Sequence, residues 1–177
     1  MKKNLYILLS TLALTSCTNP QQKYRDEISA AEKVLFADST MIIDKTKAGE
    51  LMKLYIAYAD QFQDDSSSAD YLFKAGDIAN NMRQPTEAIA LFGRVRRYQT
   101  YAKVPVALFL QGFITETELQ DYGKAKEYYE SFLQKYPNHQ LTRDVQASLD
   151  NLGKSPEDLI KEFEANQKKQ DSLAVKQ

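Results

Sequence analysis

Tyr71-Leu72-Phe73-Lys74-Ala75-Gly76, then Glu87-Ala88-Ile89-Ala90-Leu91-Phe92, return as Ala107-Leu108-Phe109-Leu110-Gln111-Gly112, then Lys124-Ala125-Lys126-Glu127-Tyr128-Tyr129: one pattern used twice. Phe73 to Phe109 and Gly76 to Gly112 are each 36 apart, while Ala88 to Ala125 and Phe92 to Tyr129 are each 37 apart. The single added residue falls in the turn around Gln120-Asp121-Tyr122-Gly123. Phe62-Gln63-Asp64 likewise foreshadows Tyr136-Pro137-Asn138 at 74, twice the period of 37. Apolar residues recur at helical spacing within each half of the pattern, so the repeating unit is a helix-turn-helix pair.

Outward from this pair the chain reads as helix throughout. Only 6 glycines and 5 prolines interrupt 177 residues, and Ala, Leu, Lys, Glu and Gln are plentiful. The periodicity predicts a helix from Tyr24 through Ile28, Ala31, Val34 and Leu35, and a second over about 44–62 with Ala48, Leu51, Met52, Leu54, Tyr55, Tyr58 and Phe62 facing inward. Further helices are expected at about 68–82, 85–99, 104–120, 122–136, 140–152 and 156–168. Asp64-Asp65-Ser66-Ser67-Ser68 supplies a turn and helix caps, Pro85 fits a first helical turn, and Gly153 with Ser155-Pro156-Glu157-Asp158 ends one helix and caps the next. Residues 18–23 read as a tether, 24–165 as the helical domain, and 166–177 as a frayed polar tail without an apolar face.

The repeat resembles the tetratricopeptide family, whose unit carries a large and a small residue on its first helix, then Ala, an aromatic and a terminal Pro. Leu72, Ala75, Gly76, Ala79, Ala88, Phe92 and Val95 carry the likeness in one unit; Leu108, Gly112, Ala125, Tyr129, Phe132 and Pro137 carry it in the next. The likeness covers roughly residues 45–153 and departs from the family in three ways. The period exceeds the usual value of about 34, tryptophan is absent, and the first unit matches only through Ala48 and Tyr55. What the resemblance implies is an all-α, right-handed array of antiparallel helix pairs, an α-solenoid of about eight helices. Gly76, Gly112, Ala88 and Ala125 would let paired helices approach, with Phe92 and Tyr129 filling the gap to the neighbouring unit.

In that family the first helices of the units line a concave groove. The matching positions here are Asp70, Phe73, Asp77, Asn80 and Asn81 in one unit and Val106, Phe109, Phe113, Glu116 and Thr117 in the next. Rings for burial, amides for backbone hydrogen bonds and carboxylates suit an extended peptide or a partner helix. The resemblance therefore implies a non-enzymatic adaptor with a protein partner.

The leader sets the expected location. Met1-Lys2-Lys3-Asn4, an apolar run from Leu5 to Leu14 and then Thr15-Ser16-Cys17 have the form of a secretory signal peptide, and the run is short of the roughly 20 residues a membrane span needs. Leu14-Thr15-Ser16-Cys17 resembles the bacterial lipobox, which implies cleavage after residue 16 and a lipidated Cys17, the only cysteine in the chain. Thr15 and Ser16 stand where Ser or Ala and Gly or Ala are commoner. With Thr18 rather than Asp after Cys17, the resemblance implies the outer membrane, and the first acid at Asp26 favours its periplasmic face over the cell surface. The alternative is a surface-exposed, ligand-capturing lipoprotein accessory to a transporter, which would want acidic residues beside the cysteine.

Composition removes other classes. Without Lys2 and Lys3 the 23 basic residues become 21 against 24 acidic, so a nucleic-acid partner lacks the basic face it would require. His139 is the sole histidine, in a turn, so neither a metal cluster nor a Ser/His pair has support, and it reads as a solvated loop residue. Glu116 and Glu118 point to different faces of one helix, and Arg94, Arg96 and Arg97 read as a solvated helix face. No cofactor is expected beyond the covalent lipid, and no small-molecule substrate.

Overall fold

The computed structural model describes residues 19–37 and 44–174. The leader and Cys17 lie outside the described residues. Eight helices follow in order among the described residues: α1 Pro20–Phe36, α2 Lys45–Gln61, α3 Ser66–Asn81, α4 Pro85–Val95, α5 Val104–Thr117, α6 Tyr122–Lys135, α7 Thr142–Asp150 and α8 Pro156–Ala174. Each of α1 to α6 packs on the next, which is the pattern of an all-helical, tetratricopeptide-like array.

The even-numbered helices show why the array repeats. Leu51, Ala88 and Ala125 succeed one another at 37, as do Tyr55, Phe92 and Tyr129, and as do Tyr58, Val95 and Phe132. All nine are at most 1% exposed. The unit is thus present three times, in α1–α2, α3–α4 and α5–α6, and Leu51 rather than Ala48 is the first unit's counterpart of Ala88. The likeness of that first unit is weak in sequence because a leucine there fills the slot where the other two units carry alanine.

Close approach within a pair depends on glycine. A Cβ built on Gly76 would stand 2.8 Å from the Phe92 ring, and one on Gly112 would stand 2.7 Å from the Tyr129 ring. Phe92 and Tyr129 therefore pack against their own unit's first helix, and the Tyr129 hydroxyl also reaches Ser148 of α7, in the following unit. The turns match as well: Arg83 (φ 60°) and Gln120 (φ 53°), 37 residues apart, are the two non-glycine left-handed residues among those described.

Gly49 offers the contrast. Its Cβ would have only Met82 Cε, at 3.8 Å, for a neighbour. Gly49→Ala is therefore expected to stabilise α2 by about 0.5–1 kcal/mol through propensity alone, read as a higher midpoint in urea unfolding.

The array stops at α7. Val145 occupies the slot of Leu72 and Leu108 and is fully buried against the α5–α6 cluster. One turn on, however, Leu149 stands 37 beyond Gly112, while Glu162, Asn166 and Lys169 stand 37 beyond Ala125, Tyr129 and Phe132. With a bulky residue in place of the glycine and polar ones in place of the ring and its neighbours, α8 cannot close on α7 as the earlier pairs close. It leaves Leu159, Ile160 and Phe163 exposed. Residues expected to fray beyond 165 continue this helix to Ala174, a correction whose cause is the helix-favouring run Gln167-Lys168-Lys169-Gln170.

The N-terminal end is fastened by one side-chain node. Asp65 caps α3 by accepting from the Ser67 N–H at 2.7 Å, and its other oxygen accepts from Gln21 Nε2 at 2.6 Å and Arg25 at 3.0 Å. Tyr58 Oη accepts from Gln21 and from Arg25 Nε as well, tying α1 to α2 and α3 together.

Candidate functional site

The odd-numbered helices α1, α3 and α5 share one face, joined by polar bridges. Glu32 of α1 accepts from Lys74 of α3 at 3.0 Å and from the Tyr55 hydroxyl at 2.6 Å. Asp70 accepts from the Tyr101 hydroxyl at 2.8 Å, with Lys74 at 3.4 Å and Lys103 at 3.8 Å. Arg83 reaches Glu118 at 2.8 Å. Burial and the Glu32 bond push the Tyr55 hydroxyl far up, while burial, which alone would lower it, is outweighed by Glu32 and Asp70 at Lys74, whose ammonium is held above its usual value. Tyr55 and Lys74 therefore keep their protons at neutral pH.

Where α1, α2 and α3 meet, the face opens into a cavity of about 710 Å³, lined by Leu35, Phe36, Ala48, Ile78 and Met82 together with Glu32, Lys45, Tyr55, Lys74, Asp77 and Asn81. The volume is within the range of ligand pockets. Its apolar wall comes from the α1 C-terminus and the α3 stripe Ile78–Met82. Neither Leu35 nor Phe36 was expected at a site, because the family likeness begins only after them.

The structure divides the sequence-predicted groove residues. Asp77 and Asn81 line the cavity, and Asn81 Nδ2 donates to the Asp77 carbonyl at 2.9 Å. Asn80 is half-buried on the same helix. Phe73 is not available: it is 7% exposed, packed edge-on against Phe92 and Tyr101, with the Lys103 ammonium 4.7 Å above its ring. The reason is the long connection between α4 and α5, which folds Tyr101 and Lys103 over it. Phe109 is half-buried beside Tyr129 and Phe113, Glu116 accepts from the Tyr129 hydroxyl at 2.6 Å, and Phe113 stays 43% exposed. The α5 residues therefore extend the face but do not line the cavity.

Other sequence readings resolve clearly. Glu116 and Glu118 engage Tyr129 and Arg83 on different sides of the helix. Arg94 pairs with Asp60, and Arg96 donates to Gln111 at 3.0 Å, so two of the three arginines bridge helices instead of forming a solvated face. His139 is no solvated loop residue: its ring packs edge-on against Phe132 and its Nδ1 accepts from the Leu141 N–H. Among the described residues no cluster of three metal-ligating side chains exists, and no helix is long and apolar enough to cross a membrane.

Residues 106–139, which are α5, α6 and the turn after them, match the tetratricopeptide repeat family. This chain carries a tetratricopeptide repeat. The matched stretch holds Gly112, Ala125, Tyr129, Phe132 and Pro137; the preceding unit, from Leu72 to Val95, in which the sequence carries the likeness better, lies outside the match. The second helices of the α3–α4 and α1–α2 pairs repeat the matched unit's buried positions at 37 without being part of the match. No curated protein matches the chain. Repeats of this kind serve as protein-binding scaffolds, and nothing in the arrangement points to catalysis.

Proposed function

We propose that this protein is a lipid-anchored, non-enzymatic adaptor of the bacterial cell envelope that binds another envelope protein or peptide along its α1/α3/α5 face. The observation that carries the reading is the apolar-walled cavity between α1, α2 and α3, opening on the side where tetratricopeptide arrays take their ligands. The leader and Cys17 supply the anchor, and Thr18 directs it to the outer membrane, periplasmic side. Several acyl chains, each contributing about 0.8 kcal/mol per buried methylene, make such attachment lasting.

Two measurements test the two halves separately. Cys17→Ser is expected to move the protein out of the membrane fraction and to leave the leader uncut; full retention with a trimmed leader would refute the anchor. A photo-crosslinking residue at Ile78, in the cavity wall, is expected to trap a defined envelope partner in cells. The same residue at Glu130, exposed on α6, should trap none. Equal trapping at both positions would refute the face.

A further inference from the structure

We infer that the cavity recognises a polypeptide segment in which a lysine or arginine is flanked by apolar side chains, the basic group pairing with Asp77. The inference rests on the adaptor reading and adds the chemistry of its ligand.

The carboxylates of this face are not equivalent. Glu32 is saturated by Tyr55 and Lys74, and Asp70 by Tyr101, Lys74 and Lys103. Asp77 has neither a hydrogen bond nor an ion pair to its side chain among the described residues, although it is half-buried in the cavity wall. Burial pushes its carboxyl up; the Lys103 ammonium opposes this, and Asp70 adds a smaller push in the same direction as burial. A half-buried carboxylate with no direct partner loses hydration and regains only the pull of a cation it does not touch, here Lys103. Lys45, the one other charged group in the lining with no such bridge to a cavity residue, is exposed at the start of α2. An entering cation would therefore meet one open carboxylate set among Ile78, Leu35, Phe36 and Met82. Apolar flanks would cover the wall, and the basic head would satisfy Asp77 in a place where charge-assisted bonds are strong.

The test is selection of a random dodecapeptide display library on the immobilised full chain in detergent, run in parallel on Asp77→Asn. On the parent protein the recovered peptides are expected to show Lys or Arg enriched several-fold at one position between apolar residues. On Asp77→Asn the apolar preference should persist and the basic preference vanish. A synthetic peptide from the parent pool should bind the variant at least tenfold more weakly. Basic enrichment that survives Asp77→Asn, or an apolar pool with no basic bias, overturns the assignment to Asp77 while leaving the groove reading intact. A pool no richer than that from bare support overturns both. Because Asp77 has no side-chain partner among the described residues, Asp77→Asn is expected to melt at the same temperature as the parent or higher; a clear fall would make the residue structural and overturn the inference.

Discussion

Replacing Phe92 with alanine is expected to destabilise the protein by about 3–5 kcal/mol, the cost typical of emptying a buried aromatic site. The ring is fully buried between α3 and α4, edge-on to Phe73 at 5.3 Å and within van der Waals reach of Gly76. It lies in the larger of the two apolar clusters, the one that joins α1 to α5. In a linear array the middle unit couples both neighbours, so its loss removes two interfaces at once. Gly76→Ala acts on the same contact from the other side. The methyl would gain up to about 1 kcal/mol of helix propensity, yet its Cβ falls 2.8 Å from the ring and overpacking of this kind costs about 1–3 kcal/mol. The net change is destabilising, opposite in sign to Gly49→Ala. In the double variant the alanine at 76 meets space instead of a ring, so the combined loss should fall short of the sum by on the order of 1 kcal/mol or more. Urea unfolding of the four proteins checks the cycle; strict additivity would show that the Gly76–Phe92 contact does not set the spacing of the pair.

That contact was only half legible in the sequence: glycine and ring recur at fixed spacing in two units, but the family likeness aimed the ring at the neighbouring unit and not at the glycine. The first unit was harder to read. Its second helix keeps the 37-residue spacing at Leu51, Tyr55 and Tyr58, but a leucine masks the small-residue signal that marks the later units. The cavity was legible only in part. Asp77 and Asn81 follow from the positions of α3, whereas Leu35 and Phe36, although they stand 37 before Leu72 and Phe73, precede the stretch where the small-residue pattern makes the repeat recognisable. Phe73 shows the opposite failure. Its place on the helix is the one that faces a ligand, but the residues that cover it, Tyr101 and Lys103, belong to a connection whose path depends on tertiary contacts. End of array, by contrast, is written at Leu149 and Asn166, where the sequence abandons the glycine and the ring.

The second large effect is expected at Asp65, where alanine should cost about 2–4 kcal/mol. The cap bond to Ser67 accounts for roughly 1 kcal/mol, and the bond from the half-buried Gln21 amide to the charged carboxylate supplies the remainder at about 1.5–3 kcal/mol, the solvent-exposed Arg25 guanidinium adding little to it. Asp65→Ala would leave Arg25 and Gln21 facing Tyr58 alone, so α1 should loosen from the array before the later units do. Hydrogen exchange localises the effect: amides of α1 and the first turn of α3 should lose protection while those of α6 keep theirs. The same node gives a pH dependence with a defined sign. Partial burial would raise the Asp65 carboxyl, but the Ser67 bonds and Arg25 outweigh it and hold the group below its ordinary value. A carboxylate held down in the fold contributes stability that is present above its ordinary value near 3.8 and is lost as pH falls through its lower value in the fold. Asp65→Asn keeps one acceptor for the cap and removes the charge. Its stability deficit relative to the parent should therefore be full at neutral pH and shrink below about pH 4; a deficit that stays constant down to pH 2 would mean that the charge of Asp65 plays no part in holding α1 to the array.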